Sequence, residues 1–195
     1  MNAPAQGHAW WIRPVRPAAR LGLKGPDAPG LLQQAGISIP SHANGMTSSP
    51  TSAIAGLSRC LRLGATEFLL EQDEGADAVR ALREQALHAG QRAWPVVRAD
   101  FSALVGGTEA LTRLSQLSSF DFESLLAAEA QAATATRSVV MTLLADISVT
   151  LVLEHADPAA PQWRLWADAS FASYLQQTLQ SLCPSPPFPI PGVHA

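Results

Sequence analysis

Charge is scarce in this sequence. Lys and Arg number 13 and Asp and Glu 16 among 195 residues, a charged fraction of 15% with a formal net charge of −3. The basic residues form no run beyond the spaced pair Arg13 and Arg16, so neither nucleic acid nor an anionic membrane surface is an expected ligand. Cysteine is nearly absent. Cys60 and Cys183 stand far apart, which gives neither a disulfide framework nor a metal-ligand spacing and fits a cytosolic protein with core thiols. No Gly-x-Gly-x-x-Gly occurs, which excludes a dinucleotide-binding Rossmann turn for FAD or NAD in this chain. Gly106-Gly107 is not followed by Lys-Ser or Lys-Thr, so there is no phosphate loop, and the Gly-x-Ser-x-Gly elbow of serine hydrolases is missing. His8, His42, His88, His155 and His194 are isolated from other ligand types; His155 and Asp157 are neighbours only within a Pro- and Ala-rich loop. The longest apolar stretch, residues 139–153, is interrupted by Thr142, Asp146, Ser148 and Thr150 and is no membrane span. The N-terminus lacks the charged-then-apolar order of a signal peptide, so a cytoplasmic protein is expected.

What is present is apolar. Such residues make up 47% of the chain, enough at this length for a sizeable core in one or two domains. The low charge fraction fits a surface covered by a partner chain, and equally an Ala-rich composition. The stronger signal is repetition. Arg20-Leu21-Gly22-Leu23-Lys24-Gly25 leads into a helix over 26–35, and Asp100-Phe101-Ser102-Ala103-Leu104-Val105-Gly106-Gly107 leads into a helix over 108–117. The first copy continues with an irregular stretch over 37–57, rich in Ser, Pro, Gly and Thr. A hairpin then turns at Gly64-Ala65-Thr66, and a helix over 77–89 ends at Gly90. The second copy opens with a strand from Trp94 and carries an Ala-, Glu- and Gln-rich insert over 120–136. It goes on with strand structure over 137–154, a strand at Trp163-Arg164-Leu165-Trp166, and a last helix near Ser170 with Phe171, Leu175, Leu179 and Leu182 on one face. The expected organisation is an N-terminal arm over 1–18, repeats over 19–97 and 98–183, and a proline-rich tail over 184–195. The fold class is α+β, built from duplicated ferredoxin-like halves. Neither half displays a cluster of ionisable groups along its sequence, and Glu71, Asp73 and Glu74 read as a solvated hairpin end. No catalytic, cofactor-binding or metal-binding residue is assigned.

Several segments taken together resemble one family. Leu23-Lys24-Gly25-Pro26, then Ile37-Ser38-Ile39-Pro40 with Asn44, then Leu63-Gly64-Ala65-Thr66-Glu67-Phe68-Leu69-Leu70 follow its order, with Ala65 in place of the family's proline. Met141-Thr142, Ile147-Ser148-Val149-Thr150 and Trp166-x-Asp168-x-Ser170-Phe171-x-x-Tyr174-Leu175 continue it. The sequence resembles the gamma subunit of heterotetrameric sarcosine oxidase, a relative of the aminomethyltransferase folate-binding fold. The resemblance implies a non-catalytic assembly subunit of a complex that demethylates sarcosine to glycine and passes the one-carbon unit to tetrahydrofolate. FAD, FMN, NAD and folate would lie in other subunits, and the partners would be the alpha (folate-domain) and beta flavoprotein subunits. Two other readings stand beside it: a stand-alone folate-dependent aminomethyl transferase, and a subunit of a related N-methyl amino acid dehydrogenase.

The two ends of the chain suggest where a partner would sit. They hold Pro4, Pro14, Pro17, Pro184, Pro186, Pro187, Pro189 and Pro191, with Trp10, Trp11 and Phe188 among them. A proline-stiffened arm loses little entropy on docking, and aromatic side chains are the usual anchors of interfaces. Trp10, Trp11 and Phe188 are therefore candidate partner contacts, although packing on their own core is the commoner use of such indoles.

Overall fold

The computed structural model describes residues 9–16, 19–48, 56–75, 77–88, 90, 92–132 and 136–183. In chain order the strands are β1 (Trp11–Pro14), β2 (Ala19–Lys24), β3 (Gly45–Ser48), β4 (Arg59–Arg62), β5 (Glu67–Gln72), β6 (Trp94–Val97), β7 (Phe101–Gly106), β8 (Thr136–Leu144), β9 (Ile147–His155) and β10 (Gln162–Ala167). The helices are α1 (Ala28–Gln34), α2 (Asp77–His88), α3 (Ala110–Leu117), α4 (Phe122–Gln131) and α5 (Ala172–Ser181). These elements form two compact units. The first comprises Arg16–Asp100 and Ala132–Val140; the second takes in residues up to Val15, Phe101–Gln131 and those from Met141 on.

In the first unit the strands run β3-β4-β5-β2-β6, every neighbouring pair antiparallel, and the start of β8 pairs with β3. The order β6-β2-β5-β4 is that of a ferredoxin-like half, with β3 added beside β4. One face carries the core: Leu21, Leu23, Phe68 and Leu70 from the sheet meet Leu31 and Leu32 of α1 and Val79 and Leu82 of α2. Alternation along β2 and β5 sends these side chains to the helices, and each fully buried Leu contributes about 2 kcal/mol. Helix α1 begins at Ala28 rather than Pro26, with Asp27 as its N-cap and Pro29 in its first turn, where a missing N–H costs nothing. It stops at Gly36, whose φ of 71° lets Ile37 N–H reach the Leu32 carbonyl.

The second unit repeats the arrangement. Its strands run β1-β7-β10-β9, antiparallel where β7 meets β1 and where β10 meets β7 and β9, and β8 follows β9. Helix α4 has no counterpart in the first unit; the expected insert over 120–136 contains this helix, started by Asp121, whose Oδ1 accepts from Ser124 N–H at 2.9 Å. Phe122 of α4 meets Trp163 edge-on, ring centroids 5.3 Å apart, both rings fully buried. The strand structure over 137–154 is two strands, β8 and β9, joined at Ala145 and Asp146 with φ of 51° and 65°. Asp168, not Ser170, caps the final helical segment, its Oδ1 accepting from Ser170 N–H at 2.8 Å.

Trp94–Val97, read as a strand opening the second copy though inside the 19–97 bounds of the first, pairs with β2 and completes the first unit. Trp11–Pro14, expected as an extended arm, pairs with β7 and completes the second. Each unit thus takes its outer strand from the segment that precedes the other unit's first strand. The proline-rich tail over 184–195 lies outside the described residues. The stretch over 37–57 contains β3, which pairs with β4 and β8.

Candidate functional site

Charged side chains converge in the first unit although they are scattered along the sequence. Cross-strand register places Arg20 opposite Glu71, and Glu71 opposite Arg59. The three share the sheet face turned away from the α1 and α2 core. Glu71 Oε1 accepts from Arg20 Nε at 3.0 Å and Nη2 at 2.7 Å, and Arg59 Nη1 lies 3.7 Å from Glu71 Oε2. Arg20 Nη1 also donates to the Asp100 carbonyl at 2.8 Å, Arg98 Nε donates to Asp100 Oδ2 at 2.9 Å, and Arg59 Nη1 donates to Asp73 Oδ1 at 2.8 Å. The result is a chain Arg98–Asp100–Arg20–Glu71–Arg59–Asp73 of alternating sign, with Glu71 fully buried and Arg20 5% exposed. Glu71 is therefore not the solvated hairpin end that the sequence suggested. One signal of this was available: Arg59 and Glu71 stand six residues either side of Ala65, the centre of the hairpin turn. The rest needed the pairing of β2 with β5.

Each carboxylate of this network is paired with at least one Arg, a group that stays protonated at any pH of interest. Cys60 is buried and its thiol is pushed up to about 12 by desolvation, which removes it as a nucleophile. Burial also raises Cys183. Among the described residues no group of three or more His, Cys, Asp and Glu is placed to hold a metal ion. No described helix is long and apolar enough to cross a membrane.

The surface carries apolar groups instead. Trp94 and Val97 of β6 are 56% and 81% exposed, and Leu87 of α2, which packs against β6, is exposed too. The approach to β6 is fixed from both sides. Asp27 Oδ2 accepts from Arg92 N–H at 2.9 Å and Asp27 Oδ1 from Arg92 Nη2 at 3.1 Å; this hydrogen bonding holds the Asp27 carboxyl below its usual range. Gly25, with φ of 130°, leaves the space that the Trp94 ring fills, since a Cβ there would stand 2.9 Å from it. The aromatic residues proposed from the sequence are placed otherwise. Trp10 is 2% and Trp11 8% exposed, and Trp10 Nε1 donates to the Leu179 carbonyl at 2.9 Å inside the second unit. Phe188 lies outside the described residues.

No family profile and no curated protein sequence matches the chain. Solved structures do. Heterotetrameric sarcosine oxidase from Corynebacterium sp. U-96, in complex with pyrrole 2-carboxylate, aligns with a TM-score of 0.64 at 19% identity over 93% of this chain and 89% of that one. The glycine cleavage system aminomethyltransferase T from Bartonella henselae aligns with a TM-score of 0.60 at 14% identity over 91% of this chain and 46% of that one. The fold is that of the sarcosine oxidase and aminomethyltransferase chains. The α+β, duplicated architecture expected from the sequence is the one this chain has, and its fold matches these neighbours. The chain spans about half the length of the aminomethyltransferase.

Proposed function

We propose that this chain is the non-catalytic gamma-type subunit of a cytoplasmic, heterotetrameric sarcosine oxidase-type complex, where it supports assembly. The observation that carries this reading is the extent of the likeness: nearly the whole chain aligns with nearly the whole of one sarcosine oxidase chain, against less than half of the aminomethyltransferase. The internal pairing of its buried charges and the exposed apolar edge at β6 agree with a chain that binds others and leaves chemistry to them. Its partners are the alpha (folate-domain) and beta flavoprotein subunits, which hold FAD, FMN, NAD and tetrahydrofolate. A related N-methyl amino acid dehydrogenase would use the subunit in the same way.

The second reading, a stand-alone aminomethyl transferase-like folate protein, draws on the fold shared with the aminomethyltransferase. Calorimetry with tetrahydrofolate separates the two. The expected outcome is no tight binding by the isolated chain, no flavin absorbance, and no turnover of sarcosine until the large subunits are co-expressed with it. Tight folate binding by the chain alone would overturn the assembly reading.

A further inference from the structure

We infer that β6 is a strand-addition edge, occupied in the complex by an extended apolar segment of a large partner subunit; the inference rests on the assembly role proposed above. β6 is the outermost strand of its unit, paired with β2. Its sequence, Trp94-Pro95-Val96-Val97, carries no charge of the kind that discourages pairing at open edges, while its four-residue length and Pro95 limit an added strand to a short ladder. Pro95 lies opposite Leu23. Since proline has no N–H to donate, its nitrogen belongs on the open side. Alternation then turns Val97 N–H outward, with the Pro95 and Val97 carbonyls as acceptors beside it. Trp94 and Val97 project from opposite faces of the strand, so an added strand would be flanked by apolar surface on both faces. The neighbouring charges are neutralised within the unit: Lys24 pairs with Glu67 at 2.8 Å, Arg92 with Asp27 at 3.1 Å, and Arg98 with Asp100 at 2.9 Å. The occupant therefore needs apolar side chains and an extended backbone, and no compensating charge.

The second unit has an equivalent outermost strand with its indole turned in. β1 stands beside β7 as β6 stands beside β2, yet Trp11 is buried. The chain leads into β1 through Ala9 and the buried Trp10, with Glu109 N–H donating to the Ala9 carbonyl and the Trp10 indole donating to the Leu179 carbonyl of α5. β6 is preceded by the small, buried Ala93 and by Arg92, which is committed to Asp27. The chain's remaining segments are poor substitutes. Residues 184–195 contain five prolines, which cannot supply a ladder of donors, and residues 1–8 have Met1 as their one large apolar side chain. A second copy fits less well than a larger partner. Two copies pairing through β6 would each bring Pro95 to the ladder, so both strands would lack a donor, whereas a partner segment need not.

The test co-expresses the full chain with the large flavin- and folate-binding subunits of a sarcosine oxidase-type complex, in wild-type form and as Val97→Lys and Trp94→Ala. Wild type should co-purify with the large subunits, and hydrogen exchange at Val97 should slow in the complex. Both variants should stay folded by circular dichroism and bind the large subunits more weakly, Trp94→Ala by roughly 30-fold, the size of an interface hot spot. Val97→Lys keeps the test open if Trp94→Ala unfolds, because its side chain is exposed and outside the core. Co-purification unchanged by Val97→Lys overturns the inference while leaving the assembly role intact. A wild-type chain that fails to co-purify overturns the assembly role, and the inferred occupant falls with it. A chain that dimerises alone, and is made monomeric by Val97→Lys, assigns the edge to a second copy and overturns the partner named here.

Discussion

Glu71 has no exposed surface and sits between Arg20 and Arg59, themselves 5% and 11% exposed. Removing one member of a buried ionic set strands the others, at a cost of about 3–5 kcal/mol, while replacing the set with apolar groups of similar size is often neutral. Glu71→Ala should therefore lower unfolding stability by about 3 kcal/mol or more in urea titrations. The double substitution Arg20→Met with Glu71→Leu should recover much of that loss. A Glu71→Ala chain within 1 kcal/mol (roughly fivefold in the unfolding equilibrium) of wild type would mean that the network contributes little. The same residue shows what could be read in advance. Its place opposite Arg59 follows from the turn at Ala65, whereas its contact with Arg20 depends on a non-local strand pairing that no local pattern encodes.

At the scale of elements, the β8–β9 connection carries the clearest local strain. Ala145 and Asp146 both have positive φ, as two-residue hairpin turns matching the twist of their strands require. Alanine is a poor choice there, because its Cβ crowds the backbone in the left-handed region, at about 1 kcal/mol. Ala145→Asn should raise stability by about 0.5–1 kcal/mol, visible as a higher melting temperature; an unchanged or lower one would show that other contacts set this turn. Helices and hairpins with local signals were legible: Gly36 ends α1, and Gly64-Ala65-Thr66 joins β4 to β5. The short strands β1 and β3 were not legible as strands, and β6 was legible as a strand but not in its pairing with β2. Each has four residues, too few for alternation to stand out, and prolines in β1 and β6 point away from strand. Both lie at sheet edges, where a missing donor is tolerated. Helix α4 is weakly marked in the sequence because its insert is Ala-rich, with few large apolar residues to define a face.

For the molecule as a whole, the exchanged outer strands set an order of events during synthesis. A ribosome releases the N-terminus first, so Trp10 and Trp11 emerge long before their partners. Trp11 must wait for Gly106, opposite it in β7, and the Trp10 indole must wait for Leu179, 169 residues later. The first unit has most of its strands once Asp100 is out and needs only the beginning of β8 to finish beside β3. Contacts so distant in sequence are slow to form and leave apolar surface uncovered meanwhile. Nascent chains stalled with residue 140 just outside the tunnel should therefore resist protease across the first unit and remain cleavable around Trp10, whose partner in α5 is still to come. Protection near Trp10 at that length would contradict this order. The Trp10 indole, held uncovered from the start of translation until α5 appears, gives a chaperone a long-lived place to bind, and makes the last helix the signal for its release.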